Sequence, residues 1–272
     1  MRFQHGRFAR WLKHLMLSQL LALIFGIIVI LSFPYQVYTD SPVLLRREAQ
    51  WKGSFFINTF TPLQSHGVLL KVAAKSQLPD LFNGCEVTSL SMLLDYLHVY
   101  ESPIALASMI KRDPTPLVTD NAGDIISWGN PNRGFVGSIT GKSPGFGVFH
   151  GPITQLLNRF IAHRGLDLTG SSFNTLLSTV RQGRPIIVWT TINFTAQVPF
   201  VHWSSPTGLV KTTLFEHAVL LVGFDKKYVY VNNPLNGQQA EPIPIASFRA
   251  SWIALGKQAV TVAPYTRTLT IS

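Results

Sequence analysis

A single thiol stands in the 272 residues: Cys85, within NGCEVTSLSMLLDYL, residues 83–97. A lone cysteine forms no internal disulfide and cannot build a zinc–thiolate site by itself. It is therefore a small apolar filler or a sulfur placed to react. Val87, Leu90, Leu93, Leu94 and Leu97 recur at helical spacing, which predicts a helix beginning at the cysteine, with Asn83 as its N-cap. A thiol in a first helical turn faces unpaired backbone N–H groups and the positive end of the helix dipole. Both favour the nucleophilic thiolate. Glu86 opposes them, but successive helical side chains diverge by about 100°, so its effect is expected to be minor. Position alone also suits an inert buried cysteine.

A reactive thiol needs a base, and the base needs an orienting partner. Of eight histidines, His5 and His14 flank an apolar N-terminal segment and drop out. His217 opens the strand-like run HAVLLVGFD, which returns through two lysines into YVYVNNP. In an antiparallel hairpin turning near Asp225 or Lys226, His217 lies opposite positions 233 to 235, bringing Asn233 alongside. The asparagine amide then accepts from one imidazole nitrogen and leaves the other for the thiol.

The elements that position these residues read as one α+β domain with helices first and strands later. Further helices are predicted over GPITQLLNRFIAHRG, ending at Gly165, and over SFNTLLSTVRQG, capped by Ser171 or Ser172 and stopped by Gly183. Strands are predicted in RPIIVWTTINF, HAVLLVGFD and YVYVNNP. The run from Ala218 to Phe224 shows no alternation, as expected where both sheet faces are covered.

Four blocks, QLPDLFNGCEVTSLSMLLDYL, GNPNRGFVGSITGKSPGFGVFHGPI, GRPIIVWTTINF and EHAVLLVGFDKKYVYVNNP, occur in that order. Over residues 55–256 they resemble the papain-fold cysteine peptidases related to the bacteriocin-processing, double-glycine peptidases, the C39-like family. The resemblance implies a papain-like α+β fold whose N-terminal helical part carries the nucleophile and whose C-terminal antiparallel sheet carries the base. It implies Cys85 as nucleophile, His217 as base and Asn233 as orienting member. Gln77, eight residues before the thiol, would donate to the oxyanion together with the Cys85 backbone N–H. Family members usually have aspartate where this chain has Asn233, in VNNP rather than VNDP. Papain itself uses asparagine there, so catalysis need not be abolished, but a negative charge that would stabilise imidazolium is removed and a weaker or differently tuned nucleophile is expected. The implied partner is a peptide or protein substrate, and no cofactor or metal is expected. Two rivals share these residues: an inactive module binding envelope peptides or glycans, and a thiol acyltransferase or isopeptidase.

Leu15 to Phe33 holds 19 residues without a formal charge. A helix of that length extends about 28 Å, near the ~30 Å hydrocarbon core of a bilayer. Arg2, Arg7, Arg10 and Lys13 precede it, so the positive-inside rule predicts a cytoplasmic tail (1–14), a signal anchor (15–33), a stalk (34–54) and an exported peptidase domain (55–272) at the cell membrane. The formal charge of +10 suits anionic cell-envelope polymers. No run of Lys and Arg, zinc-finger spacing or aromatic RNA-binding signature points to nucleic acid.

Other motifs are weaker. GSITGKSPG has three residues between Gly137 and Gly141 where a phosphate loop needs four, and a proline follows. The glycine-rich span 129–151 is read instead as a loop bordering the cleft. His150 and His202 have no partner at metal-ligand spacing, and His150 is expected to be structural. Trp189 is expected in the core, while Trp203 suits core or groove equally.

Overall fold

A computed structural model describes residues 60–61 and 67–264. The expected tail, anchor and stalk lie outside the described residues. Among the described residues no helix is long and apolar enough to cross a membrane.

Two short strands, β1 (Phe60–Thr61) and β2 (Val68–Leu70), precede helices α1 (Cys85–Tyr96) and α2 (Pro103–Met109). Five short strands follow: β3 (Arg112–Asp113), β4 (Val118–Thr119), β5 (Ile125–Ser127), β6 (Phe135–Gly137) and β7 (Gly145–Gly147). Then come α3 (His150–Asn158), β8 (Gly165–Asp167), α4 (Phe173–Arg181) and β9 (Ile186–Thr191). The C-terminal part is mainly strand: β10 (Val201–Ser205), β11 (Gly208–Thr212), β12 (Glu216–Phe224), β13 (Tyr228–Asn233) and β14 (Gln238–Pro244). Helix α5 (Ile245–Ala254) and β15 (Ala259–Val262) complete it. This is the expected α+β class, but strands precede and separate the helices and a helix follows the long strands, so the expected order of helices first and strands later does not hold.

An eight-stranded sheet runs β1-β2-β12-β9-β15-β8, with β13 and β14 joined along the other edge of β12. Strand β12 is its axis. It pairs antiparallel with β9 from Glu216 to Leu221, and β2 continues that edge at Gly223 and Phe224. Helices α1 and α4 both pack on β12. All nine residues of β12 are buried, which explains a strand apolar without alternation. Helix α1 is likewise buried from Cys85 through Leu94. An element enclosed on every side carries its polar residues inward as well, and that governs the chemistry below.

Two predicted boundaries move. Asn83 does not cap α1: the cap residue is Gly84, and Asn83 Nδ2 donates instead to the Ser138 carbonyl at 2.7 Å. A Cβ on Gly84 would stand 2.5 Å from Leu81 Cβ, so close approach of two chain segments selects glycine there. The helix expected to reach Gly165 ends at Asn158, and the chain turns with Ala162 and His163 at positive φ. Helix α4 follows its sequence signals: the Ser172 hydroxyl accepts from the Thr175 N–H, and Gly183 adopts φ +80° just beyond the end.

Candidate active site

The β12–β13 hairpin does the first part of the positioning. Leu220 pairs with Asn232, and the register shifts between Leu221 and Gly223 before the turn. His217 Nε2 lies 2.9 Å from Asn233 Oδ1. The neighbouring Asn232 performs a different task, donating from Nδ2 to the Val72 carbonyl and accepting the Ala240 N–H on Oδ1. Thus two adjacent asparagines divide the work: one ties strands together and the other faces the imidazole. Asn233 Oδ1 also accepts the Leu235 N–H at 3.1 Å, and Asn233 Nδ2 donates to Glu241 Oε2 at 2.8 Å.

Helix α1 brings Cys85 against the same strand. A hydrogen bond from the Ala218 backbone reaches the sulfur, and Ser89 Oγ donates to the Ala218 carbonyl one turn along. Cys85 therefore abuts the residue that follows His217. Gln77 is tied to the segment just beyond β13: its N–H donates to the Pro234 carbonyl at 2.8 Å, next to Asn233. Its Nε2 donates to the Phe82 carbonyl at 2.7 Å. A primary amide carries two hydrogens on nitrogen, so one donor remains.

The electrostatics differ from those expected of a thiol in a first helical turn. Burial pushes the Cys85 thiol well above its ordinary pKa, and the charges of Glu86 and Glu216 push the same way. The Ala218 hydrogen bond opposes them and is outweighed. Glu86 is not turned away, as the 100° step between helical neighbours suggested. Its Oε2 lies 3.5 Å from Cys85 Sγ, where it accepts the thiol proton's hydrogen bond. Its Oε1 accepts the Val148 N–H at 2.6 Å. With α1 enclosed, no outward direction exists for the carboxyl to take.

Glu86 and Glu216 form an acid pair beside the sulfur. The sulfur and one oxygen from each carboxyl all lie within 4.8 Å of one another. Gly147 makes the room: at φ +145°, a Cβ there would fall 2.3 Å from Glu86 Oε1 and 3.2 Å from Glu216 Oε2. Burial raises the Glu86 pKa from 4.5 to about 7. Burial and then the charge of Glu86 hold Glu216 well above the ordinary carboxyl value. Both carboxyls therefore hold their protons more tightly than free carboxyls do. Burial likewise lowers the His217 pKa to about 4, against a smaller upward effect of Asn233. The resting imidazole is neutral.

The remaining candidates resolve simply. His150 Nδ1 pairs with Asp167 Oδ2, tying α3 to β8 in a structural role. It lines a cavity of about 600 Å³ with Phe149, Phe200 and Lys211; Cys85, His217, Asn233 and Gln77 do not line it. Trp189 and Trp203 are both core residues, each donating its indole N–H to a buried carbonyl, of Val148 and Gly129 respectively. The span 129–151 contributes β6 and β7, which pair antiparallel, and it delivers Gly147 to the acid pair. Sequence reasoning missed Glu216 and Glu241. Glu216 had a signal, a charged residue opening an otherwise apolar central strand. Glu241 had none, because its relevance depends on pairing across β13 and β14.

Comparison with known proteins gives the same direction. The Peptidase C39-like family model matches residues 69–260, which contain all four candidate residues. The uncharacterized protein YvpB of Bacillus subtilis (strain 168) is 38% identical over 184 residues, covering 68% of this chain and 70% of YvpB. The crystal structure of a C39-like peptidase candidate from Bacillus anthracis superposes with a TM-score of 0.66 at 35% identity, covering 75% of this chain and 100% of the other. With the match spanning most of the chain and both relatives above 30% identity, this chain belongs to the Peptidase C39-like family.

Proposed function

We propose that the protein is a cysteine peptidase working through Cys85, His217 and Asn233, with Gln77 at the oxyanion. The observation that carries this reading is the 2.9 Å contact of His217 Nε2 with Asn233 Oδ1, on a strand whose next residue touches the Cys85 sulfur. Nε2–H donates to the asparagine carbonyl, so Nδ1 bears the lone pair. When a peptide carbonyl enters, Nδ1 takes the thiol proton and Sγ bonds to the carbonyl carbon. The Cys85 backbone N–H and the second Gln77 Nε2 hydrogen meet the oxygen as it gains negative charge. Nδ1 then returns the proton to the departing amine, leaving a thioester. Water, deprotonated by Nδ1, releases the acid and regenerates the thiol.

The resting pair in this scheme is neutral thiol and neutral imidazole, because burial disfavours both charges. One consequence favours a second reading, a binding module, since a thiol held neutral is a slow nucleophile. Labelling with a thiol-directed peptide inhibitor separates the two. Wild type should label and Cys85→Ala should not; failure of the wild type to label would leave only the binding module. A thioester accepted by an amine instead of water would mark an acyltransferase, read from products formed with and without added amine. We place the domain outside the membrane, on the anchor read at residues 15–33. Cell fractionation of the full chain, followed by protease access to intact cells, tests this: a soluble or protected domain would overturn it.

A further inference from the structure

The amide of Asn233 has two unlike ends, and the end turned toward His217 decides what the imidazole can do. Three contacts fix it. Nδ2 donates to Glu241 Oε2 at 2.8 Å, while Oδ1 accepts the Leu235 N–H at 3.1 Å and faces His217 Nε2 at 2.9 Å. A carboxylate only accepts hydrogen bonds and a backbone N–H only donates. Turning the amide over would set oxygen against the Glu241 carboxylate and NH2 against the Leu235 N–H, two like-with-like contacts. Amide and imidazole orientations are assigned from such networks, and this one admits a single assignment. With Oδ1 facing the ring, Nε2 carries the hydrogen and Nδ1 the lone pair. With the amide reversed, Nε2 would accept, Nδ1 would carry the hydrogen, and no lone pair would remain for a thiol proton.

We propose that Glu241 is a positioning residue: by holding the NH2 end of Asn233 it selects the Nε2–H tautomer of His217, the form in which Nδ1 is a base. The inference rests on the reading of His217 as the base for Cys85. It also accounts for the asparagine. Glu241 stands on β14, where its neighbour register pairs Val231 with Glu241 itself, and Asn236 Nδ2 lies 3.5 Å from the same Oε2. An aspartate at 233 would press a second carboxylate against this one, a repulsion that forces one of them to hold a proton. Asparagine instead joins imidazole to carboxylate with a suitable group at each end. The negative charge of the usual triad aspartate is thereby moved one side chain farther from the ring.

The test uses the full chain with 15N-labelled histidine. Long-range nitrogen–proton correlation spectra report the His217 tautomer without substrate, and the rate of Cys85 alkylation reports function. Wild type should show the Nε2–H form. Glu241→Ala should introduce the Nδ1–H form and slow alkylation by about tenfold, the value of one lost hydrogen bond at a charged acceptor. Glu241→Gln should restore both, because its amide oxygen still accepts from Asn233 Nδ2. A carboxylate has no wrong end, so in an Asn233→Asp background Glu241→Ala should cost nothing. An unchanged tautomer in Glu241→Ala, or an equal cost in both backgrounds, would overturn the proposal. A tautomer that shifts as described in a protein that never labels at Cys85 would support this proposal and overturn the peptidase reading.

Discussion

At the scale of single residues, the site is dominated by burial. The helix-dipole effect expected at Cys85 amounts to about 0.3–1 kcal/mol at exposed helix ends. Removing a thiolate from water costs more, and the adjacent acids add to it. Iodoacetamide should therefore react slowly with Cys85 at neutral pH, its rate climbing through the alkaline range. Reaction well below pH 8 would contradict the raised thiol pKa. Glu216→Gln removes one of the charges that raise it, so the alkylation profile should move to lower pH while keeping its shape. On the proposed peptidase reading Gln77 serves the oxyanion, and loss of such a donor costs about 10²–10³ in rate at comparable sites. Gln77→Ala should lower kcat by that order and leave the thiol alkylation rate near wild type, because alkylation passes through no oxyanion.

At the scale of elements, the strands were the most legible part of the chain. The runs beginning at Ile186, Glu216 and Tyr228 are apolar, β-branched and bounded by turn residues, and they form β9, β12 and β13. Hairpin arithmetic put Asn233 near His217; the observed register, Leu220 with Asn232, makes their contact a diagonal one across the ladder. The direction in which Glu86 points was not legible. A helical wheel gives the angle between neighbours but not the number of faces that will be covered, and α1 is covered on all of them. Gly147 was seen only as part of a glycine-rich loop, since its reason is two carboxyls contributed by distant elements. Its replacement is correspondingly specific. Gly147→Ala adds a Cβ within 2.3 Å of Glu86 Oε1 at a backbone angle L-residues rarely adopt. It should destabilise the fold by about 2–4 kcal/mol, read from denaturant midpoints. Ala at Gly151, whose nearest contact would be 3.8 Å away, should cost far less.

At the scale of the whole molecule, two buried groups give stability opposite dependences on pH. His217 titrates near 6.5 when unfolded and about 4 when folded, so acid from pH 6.5 down to 4 protonates the unfolded chain preferentially. That lowers stability by up to about 3 kcal/mol. Glu86 runs the other way. Its folded pKa of about 7 exceeds the unfolded 4.5, so its contribution is intact below pH 4.5 and is lost as pH rises to 7. Between pH 4.5 and 6.5 the two slopes oppose each other. Glu86→Gln keeps an acceptor for the Val148 N–H and removes one slope. Its stability should rise over that interval more steeply than that of wild type, gaining of order 1–3 kcal/mol by pH 6.5. Urea unfolding at the two pH values measures it; parallel curves would show that Glu86 titrates normally. The hydrogen bond that the Cys85 thiol donates to Glu86 Oε2 also bears on chemical durability. Peroxides attack sulfur as its anion, and a sulfur kept in the protonated form passes slowly to sulfenic acid. The Cys85 thiol should therefore outlast, under dilute hydrogen peroxide, the thiols of cysteine hydrolases that rest as a thiolate–imidazolium pair, and Glu86→Ala should shorten its lifetime there.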